Sequence, residues 1–544
     1  NTAEQYSAHI PALQTLLALG WEFLPADKCH VMRDGKTGVI LKGVLVEALK
    51  KRRFDFKGKS YPLSPNAIDQ IVRDLATPQM QEGLLTANER IYNMLALGVT
   101  VTEFVDGKKH SATIPIIDWR DAANNSFLVT EELEVVTTDG TRTRRPDIVC
   151  YVNGLPLVVI EAKRPDSGNP NTSMVAEGIS QNIRNQKNDE IPHLFAWSQL
   201  LMSISGTDGR YATTKTPAKF WSNWHEEEFD EAHFATVKNA PVPSAAREAL
   251  LLGRPAAVRR QFAALWSDVQ FVTDQDRLLI SLLSKERLLE FIRYFIIFDR
   301  KAGKIAARYQ QAFGIKALLA RISTVRKDGA REGGVIWHTT GSGKSFTMVF
   351  LCKALLLMEA LAECRVIVVT DRIDLEKQLA RTFLTGGALG LSQIGNREEN
   401  KAKAATGRDL ARRIGQGNER IIFSIINKFG TASKLPECYN PSSNIIVLVD
   451  EGHRSQSGEN HERMKKALPN ASYVAFTGTP LLKDDKTTNK FGPIVHAYTM
   501  QRAVDDGTVT PLLYEERKPV LDVNDAAIDK WFEKITEGLS DKQK

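Results

Sequence analysis

The chain has 544 residues, which excludes a single hydrophobic core at ordinary domain sizes of roughly 100–200 residues. Hydrophobic residues make up 42% and charged residues 25%, which excludes disorder over most of the length, and the formal net charge of +7 allows a polyanionic partner without requiring one. The five cysteines lie far apart with no C-x-x-C pair, a pattern that argues against a disulfide framework or a thiolate zinc site and fits a reducing cytoplasm. No apolar run of about 18 residues is present, so we expect no membrane association.

The order of predicted elements divides the chain into two architectures. In residues 1–240, the helical pattern TANERIYNMLALG precedes short strand-like runs, ATIPIIDW, NSFLVTEELEVVT, PDIVCYV and LPLVVIEAK, which predict a mixed sheet flanked by helices. A segment rich in Pro, Ala and Ser at 241–260 predicts a linker. From 261 to 510, the apolar strands GGVIW, RVIVVTD, RIIFSI, NIIVLVD and SYVAFTG alternate with helical stretches, which predicts a doubly wound parallel sheet.

A phosphate-binding loop is predicted where the strand GGVIW runs into HTTGSGKS and a helix. Glycines in this loop let backbone N–H groups surround phosphate oxygens, and the helix N-terminus adds a positive dipole end. Lys344 would contact the β- and γ-phosphates of a nucleotide, and Ser345 would bind its Mg²⁺, although His338 occupies the position where the usual motif begins with glycine. The predicted ATP-binding residues of the loop are Gly341, Ser342, Gly343, Lys344 and Ser345.

Two later strands are expected to bring polar groups to the same edge of the sheet. The strand NIIVLVD ends at Asp450 and is followed by Glu451, and ligands of open α/β sheets bind beyond such carboxyl ends. Asp450 would help to coordinate Mg²⁺, and Glu451 would position the attacking water. The next strand would bring Thr477 and Thr479 to the same edge. For each motif alone, the alternative is a loop with helix-cap chemistry.

These residues carry a family resemblance. TGSGKS, DEGH and TGTP resemble motifs I, II and III of superfamily 2 helicases and translocases, and VIVVTDRIDLEKQL and DEGHRSQSG are most similar to the motor subunit of type I restriction endonucleases. The match departs from the family at Gly452, where members usually have alanine. The resemblance implies that 261–510 is the first RecA-like lobe of a motor, with Thr477 and Thr479 coupling hydrolysis to movement.

Two further expectations follow from this resemblance. Gln310, in the upstream segment RKAGKIAARYQQAFGIKALLARI, would read the adenine edge, the alternative being a glutamine exposed on an amphipathic helix. No arginine-bearing motif of a second lobe is found in 511–544, so we expect this part to begin the connection to a second motor lobe outside the sequence, which would make the chain a fragment.

A second candidate site lies on a predicted β-hairpin, RRPDIVCYVNGLPLVVIEAKRP. Asp147 opens one strand, and Glu161 and Lys163 close the next strand two residues apart, which places both on one face. Asp147 shares that face only if it pairs with position 161, whereas a two-residue Asn-Gly loop would pair it with position 160. We therefore expect either a three-residue loop, with Val152 opposite Pro156, or a β-bulge.

The residue types of this hairpin suit metal-dependent cleavage of a phosphodiester. Asp147 and Glu161 would hold Mg²⁺, which activates water and neutralises charge at the scissile phosphate, and Lys163 would orient that water or stabilise the transition state. The pattern resembles the PD-(D/E)xK nuclease motif, the alternative being a surface ion pair between Glu161 and Lys163.

Polar residues on either side of the hairpin extend the candidate site. Family members often carry Gln-x-x-x-Tyr on the following helix; here Gln181 matches and would orient DNA or Lys163, whereas Asn185 occupies the tyrosine position. Arg142, Arg144 and Arg145 precede the hairpin and would either contact phosphates or form a solvated basic turn.

The two halves together predict a PD-(D/E)xK-like nuclease domain followed by a RecA-like motor lobe. The resemblance implies ATP, Mg²⁺ and double-stranded DNA, and a complex with modification and specificity subunits in a prokaryotic cytoplasm, in which DNA is cleaved after translocation. One alternative is a DNA remodelling or repair translocase whose nuclease-like domain is a degenerate DNA-binding module. The other is a nucleotide-sensing regulator that does not act on DNA.

Overall fold

The computed structural model describes residues 5–165, 174–299, 301–370, 403–450, 458–479, 487–510 and 525–540. Residues 1–499 form one compact unit and residues 500–544 a second. The strands are β1 (Glu22–Phe23), β2 (Arg53–Phe56), β3 (Lys59–Pro62), β4 (Val99–Val105), β5 (Lys108–Ile114), β6 (Phe127–Glu131), β7 (Val135–Val136), β8 (Thr143–Arg144), β9 (Ile148–Val152), β10 (Leu155–Ala162), β11 (Leu200–Ile204), β12 (Gly209–Ala212), β13 (Ile296–Asp299), β14 (Gly303–Ala306), β15 (Gly334–His338), β16 (Arg365–Thr370), β17 (Ile421–Ile425), β18 (Ile445–Asp450), β19 (Ser472–Thr477) and β20 (Ile494–Tyr498).

The α-helices of the described residues follow the same chain order. They are α1 (Ile10–Ala18), α2 (Ala26–Met32), α3 (Lys42–Lys50), α4 (Pro65–Ala76), α5 (Leu84–Leu97), α6 (Met174–Asn185), α7 (Pro192–Phe195), α8 (Glu231–Lys238), α9 (Ser244–Leu251), α10 (Ala256–Leu265), α11 (Asp274–Leu283), α12 (Lys285–Tyr294), α13 (Tyr309–Ser323), α14 (Lys344–Leu357), α15 (Gly407–Gln416), α16 (Ile426–Ala432), α17 (Gly458–Ala467), α18 (Thr487–Phe491), α19 (Met500–Asp505) and α20 (Asp525–Ile535). Among the described residues, no helix combines the length and the apolar character needed to cross a membrane.

The N-terminal half is built on a mixed six-stranded sheet with the order β1-β6-β9-β10-β11-β12. The β1–β6 and β10–β11 pairs are parallel and the others are antiparallel. Every residue of the central strands β9 and β10 is buried, which explains their continuous apolar sequences, because a strand covered on both faces has no polar side. The predicted mixed sheet is confirmed.

The register of the β9–β10 hairpin is set by a short turn and a β-bulge. The turn has only two residues, Asn153 and Gly154, both with positive φ, so that Val152 pairs with Leu155. The register then shifts between Pro156 and Val158, and Ile148 pairs with Ile160. The bulge predicted from the sequence is confirmed, whereas the alternative three-residue loop is not observed. Position 147 consequently faces position 161.

The second half contains a six-stranded sheet with the order β17-β16-β18-β19-β15-β20, in which all neighbouring strands are parallel. One face packs in an apolar cluster with α15 and α16, formed among others by Ile367, Val447, Val449, Leu410 and Phe429. Strand residues outside that cluster, such as Ile336, Val368 and Leu448, are also buried, so both faces are covered. The predicted parallel sheet is therefore observed, with its strands in a buried environment.

The segment expected to be a linker, 241–260, is occupied by α9 and the first half of α10. Leu250, Val258 and Phe262 of these helices are buried, so the segment is packed rather than extended. Proline introduces both helices, at Pro243 and Pro255, which is why the composition resembles a linker although the chain is helical.

Helix α14, which follows β15 of the second sheet, contacts residues of the N-terminal half. Lys353 of α14 is buried and donates to the carbonyl of Ile296 at 2.6 Å and to the hydroxyl of Tyr92 in α5. Burial lowers the pKa of Lys353 to about 7. Lys304, also buried, donates to Gln199 Oε1 at 2.6 Å, and burial, followed by the neighbouring Lys353, lowers its pKa well below the usual value.

Candidate nuclease and nucleotide sites

The β9–β10 hairpin brings together the three residues singled out from the sequence. Asp147 Oδ2 accepts from the backbone N–H of Ala162 at 2.8 Å, and Lys163 Nζ lies 3.4 Å from the same oxygen. Lys163 Nζ also lies 3.7 Å from Glu161 Oε2. The exposed fraction of the side chain is 0% for Glu161 and 7% for Lys163, so this cluster is not the surface ion pair considered as an alternative.

The carboxyl group of Glu161 is held in an unfavourable electrostatic environment. Burial raises its pKa well above the usual value and the nearby Asp147 raises it further, while Lys163 opposes the shift. Its Oε2 atom is buried and has no hydrogen-bond partner in the described part of the chain. A buried acceptor without a donor, beside a second carboxylate, fits a bound cation, which would offset the cost of ionising Glu161. Among the described residues, no group of three or more His, Cys, Asp or Glu side chains is arranged to hold a metal ion.

Helix α6 closes the site from the side of β10 and β11. A methyl group at Gly178 would lie 2.2 Å from Ser203 Oγ and 3.5 Å from the Glu161 side chain, so only glycine allows this close approach. Asn185, in place of the family tyrosine, is buried and donates from Nδ2 to Glu161 Oε1 at 3.4 Å. Gln181 lies one turn earlier and lines an open cleft. The sequence did not single out Gly178, because its role depends on the distance between two elements.

The predicted phosphate loop adopts a geometry that its glycines permit. Gly341 and Gly343 have φ values of +86° and +91°, and Gly343 is the left-handed residue immediately before α14. Helix α14 begins at Lys344, so backbone N–H groups of its first turn have no partner within the helix. Ser342 Oγ donates to the carbonyl of Thr339 at 2.6 Å, which ties the loop to the end of β15.

The acidic and threonine residues lie at the same edge of the sheet as this loop. Trp337 of β15 pairs with Thr477 of β19, and Phe476 pairs with Asp450, the last residue of β18. Asp450 and Thr477 are both buried, and the N–H of Thr479 donates to Thr477 Oγ1 at 3.1 Å. Glu451 lies outside the described residues. The strand order therefore brings Asp450 and Thr477 to the edge where the loop begins.

Two neighbouring glutamines at the start of α13 differ in their contacts. Gln311 donates from Nε2 to the carbonyl of Gly343 at 3.1 Å and to Thr347 Oγ1 at 3.3 Å, and its Oε1 accepts from the N–H of Arg308. Gln310, the residue predicted from the sequence, is buried, and neither polar atom of its amide has a hydrogen-bond partner among the described residues. It is thus not the exposed residue of the alternative interpretation, but Gln311 is the one that contacts the phosphate loop.

His338, which replaces the first glycine of the usual loop motif, takes part in a hydrogen-bonded chain that the sequence did not reveal. His338 Nε2 lies 2.9 Å from His496 Nδ1, and His496 Nε2 lies 3.0 Å from Glu227 Oε2. Burial lowers the pKa of His338 well below the usual value, and His496 and Lys344 lower it further. The chain joins the end of β15 to a residue 111 positions earlier, in the segment between the two sheets.

Comparison with known proteins finds a family match in each half of the chain. Residues 1–220 match the type I restriction enzyme R protein N terminus, and residues 310–544 match the SWI2/SNF2 ATPase family. The chain is 32% identical over 536 residues to the type I restriction enzyme HindI endonuclease subunit of Haemophilus influenzae, covering 93% of this chain and 46% of that protein. It is also 32% identical over 560 residues to the MjaIXP endonuclease subunit of Methanocaldococcus jannaschii, itself a candidate type I restriction enzyme, covering 99% of this chain and 48% of that protein.

The chain therefore spans about half the length of the curated relatives that it matches. Among solved structures, a nuclease-deletion mutant of the type ISP restriction-modification enzyme LlaGI, in complex with a DNA substrate mimic, is 15% identical to it. That match covers 43% of this chain and 23% of LlaGI with a TM-score of 0.26, a likeness too weak to support any statement about this chain.

Proposed function

Because the chain belongs to the family of the endonuclease subunits of type I restriction enzymes, we propose that it moves double-stranded DNA at the expense of ATP and cleaves it. The observation that carries this proposal is the buried cluster of Asp147, Glu161 and Lys163, at which an ionisable group is kept at an energetic cost. We further propose that residues 1–240 form a PD-(D/E)xK-like nuclease domain and residues 261–510 the first RecA-like motor lobe. The packed segment 241–260 would join the two, and 511–544 would lead to a second lobe.

In the nuclease site, Asp147 and Glu161 would hold Mg²⁺ through their facing carboxylates. The bound ion would supply an activated water and neutralise charge on the scissile phosphate. The N–H of Ala162 holds the Asp147 carboxylate in place by donating to its Oδ2 atom. Lys163 would orient the water or stabilise the charge of the transition state, since its ammonium group lies within 4 Å of both carboxylates.

In the nucleotide site, the loop from Gly341 to Ser345 would hold the phosphates of ATP. Lys344 would neutralise the β- and γ-phosphates, while Ser345 and Asp450 would hold Mg²⁺ directly or through water. Glu451 would position the attacking water, and Thr477 and Thr479 would relay hydrolysis to the DNA-binding surface. Hydrolysis in such motors also needs an arginine from a facing lobe, so we expect this chain alone to hydrolyse ATP slowly.

The partners of this subunit would be the modification and specificity subunits of a type I complex in a prokaryotic cytoplasm. Recognition of the DNA sequence would then lie in another subunit, and cleavage would follow translocation. The proposal differs from that of a remodelling translocase in requiring that the hairpin cluster hydrolyses DNA.

The test uses the complete subunit, assembled with its modification and specificity subunits, on circular DNA. Lys163→Ala should abolish cleavage and leave ATP hydrolysis within about twofold of wild type. Lys344→Ala should lower ATP turnover roughly a thousandfold, because an ion pair at about 4 Å contributes on the order of 4 kcal/mol, and should abolish cleavage with it. Lys59→Ala, which changes an exposed lysine of β3, is the matched control and should alter neither activity. Cleavage that survives in Lys163→Ala would return the hairpin cluster to a structural ion pair, whereas a wild-type complex that cuts no DNA would favour the remodelling translocase.

A further inference from the structure

A basic cleft of about 560 Å³ opens beside the nuclease cluster. It is lined by four cationic side chains from separate parts of the fold, together with one carboxylate and two polar residues: Lys36, Arg144, Arg145, Arg184, Glu134, Thr143 and Gln181. Gln181 and Arg184 are on α6, whereas Thr143 and Arg144 are on β8. Residues far apart in sequence thus contribute four positive charges, against the one carboxylate of Glu134, to one concave surface. This cleft has no place among the metal- and water-binding roles described above.

The cationic side chains of the cleft outnumber the carboxylates paired with them. Glu134 is shared by Lys36 and Arg145, so that two cations face one carboxylate. Arg144 is paired with Glu190, with Nη2 at 2.7 Å from Oε1. Arg184 forms no ion pair within 4 Å in the part of the chain that the structure describes, and its charge acts on Glu161 and Glu190 from a longer distance. Its guanidinium donates to Asn185 Oδ1 at 3.1 Å. The ion pairs hold Lys36, Arg144 and Arg145 in place, and the surplus of positive charge remains available to an anion.

The cationic groups are accessible to a large ligand. The exposed fraction of the side chain is 60% for Arg145 and 46% for Lys36, whereas Arg144 at 25% lies deeper. Exposed cations spread along an open surface suit a chain of phosphates, since nucleic-acid binding proteins bind the backbone through many separate lysine and arginine contacts. A single small anion would require convergent donors in an enclosed pocket.

A short path of hydrogen bonds connects this cleft to the nuclease cluster. Arg184 donates to Asn185 Oδ1, and Asn185 Nδ2 donates to Glu161 Oε1 at 3.4 Å. Gln181 and Asn185 are four residues apart on α6 and therefore lie on one side of the helix. A backbone seated in the cleft would consequently lie next to Glu161.

We propose that the basic cleft formed by Lys36, Arg144, Arg145 and Arg184 binds the phosphodiester backbone of double-stranded DNA and leads the strand to Glu161. This inference deepens the proposed nuclease function and rests on it for the purpose of the cleft. It assigns DNA-binding roles to Lys36 and Arg184, which lie outside the hairpin motif.

Photo-crosslinking tests the cleft without relying on cleavage. All five native cysteines are buried, so an exposed cysteine introduced into the full chain can be labelled selectively with a thiol-directed photo-crosslinker. Thr143→Cys places the label in the cleft, and Lys59→Cys places it on β3 as the matched control. Both are made in a Glu161→Gln background so that the probe, a blunt unmodified DNA duplex, stays intact.

We expect the label at position 143 to crosslink at least about tenfold more DNA than the label at position 59. Adding Arg145→Glu or Lys36→Glu should reduce the crosslink about tenfold and lower its salt dependence, because each phosphate contact contributes about one unit to the salt slope. Unchanged thermal unfolding would show that these exposed substitutions leave the fold intact. If Arg145→Glu fails to fold, Lys36→Glu provides the same test at a second position.

Equal crosslinking at positions 143 and 59, or a crosslink insensitive to both charge reversals, would overturn the proposal. The outcome is separable from that of the nuclease assignment. A charge-dependent crosslink in a subunit whose wild-type complex cuts no DNA would support the cleft and refute the nuclease. Cleavage by the wild-type complex without the crosslink would refute the cleft alone.

Discussion

Gly478, in the turn after β19, leaves the space that the side chain of Lys344 occupies. A methyl group at position 478 would lie 2.9 Å from Lys344 Nζ and 2.8 Å from Thr340 Oγ1. We therefore expect Gly478→Ala to displace the lysine from the phosphate site and to lower ATP turnover about tenfold, with little change in thermal stability. Steady-state ATPase assays of the assembled complex would measure this, with Gly43→Ala, at a glycine that has open space around it and no positive φ, as the control. A variant with wild-type turnover would show that Lys344 is not confined by this turn.

The buried Glu161 should make the fold less stable as the pH rises. Because its pKa in the fold lies above that of the unfolded chain, the folded state binds more protons, and the free energy of unfolding falls as pH rises from about 4.5 through the folded pKa. Glu161→Gln should therefore raise the melting temperature at neutral pH and abolish that slope. Mg²⁺ should raise the melting temperature of wild type but not that of Glu161→Gln, since it would bind the folded carboxylates. Differential scanning calorimetry with and without Mg²⁺ would check both effects.

The matched control for this prediction is Glu47→Gln, which removes an exposed carboxylate paired with Lys50 at 2.7 Å. It should leave both the pH slope and the response to Mg²⁺ unchanged, because exposed pairs contribute about 0–1 kcal/mol. A wild-type protein that gains no stability from Mg²⁺ would argue against metal binding by Asp147 and Glu161.

Lys353 should give the opposite pH dependence. Its pKa is about 7 in the fold and near 10.4 in an unfolded chain, so the unfolded state binds more protons between these values and stability rises with pH across that window. Lys353→Met should be more stable than wild type by roughly 1–4 kcal/mol at neutral pH, a gain reduced by the lost donor to Ile296, and the difference should shrink toward about pH 10. Thermal unfolding followed across this range would reveal the converging curves, and Lys42→Met, at an exposed ion pair, should show no difference.

The two adjacent glutamines of α13 should respond differently to substitution. Gln311→Ala removes the amide that contacts Gly343 and Thr347, so we expect a looser phosphate loop and about a tenfold loss of ATP turnover, equal for ATP and GTP. Gln310→Leu removes a buried amide without partners, which should stabilise the nucleotide-free protein. If Gln310 reads adenine, the same change should also reduce the preference for ATP over GTP. Retained preference in Gln310→Leu, with lost preference in Gln311→Ala, would transfer the role to Gln311.

The sequence predicted the parts of the sites that depend on local pattern. Alternation within β10 placed Glu161 and Lys163 on one face, and the need to face Asp147 required an extra residue. The location of the bulge between Pro156 and Val158 could not be predicted, since it depends on packing against neighbouring strands. The directions in which Gln310 and Gln311 point could not be predicted either. They depend on where α13 begins, which the capping contact between Arg308 and Gln311 sets.

Contacts between segments far apart in the chain could not be predicted from local sequence patterns. His496 and Glu227 are 269 residues apart, and neither lies in a motif. The composition of 241–260 predicts a linker although the segment is helical, because Pro, Ala and Ser are common both in linkers and in short helices that begin after a proline. Only the burial of Leu250, Val258 and Phe262 distinguishes the two.

The hydrogen bonds that connect Glu227, His496 and His338 affect where the protein can be cut into independently folding pieces. The first family match ends at residue 220 and the second begins at residue 310. The segment between them supplies Glu227, the hydrogen-bond partner of His496, and α5 supplies Tyr92, the hydrogen-bond partner of Lys353. A truncated motor starting at residue 310 would expose Lys353 and leave His496 without its carboxylate. Homology boundaries and cooperative folding boundaries therefore do not coincide, and limited proteolysis should release no stable piece that begins there.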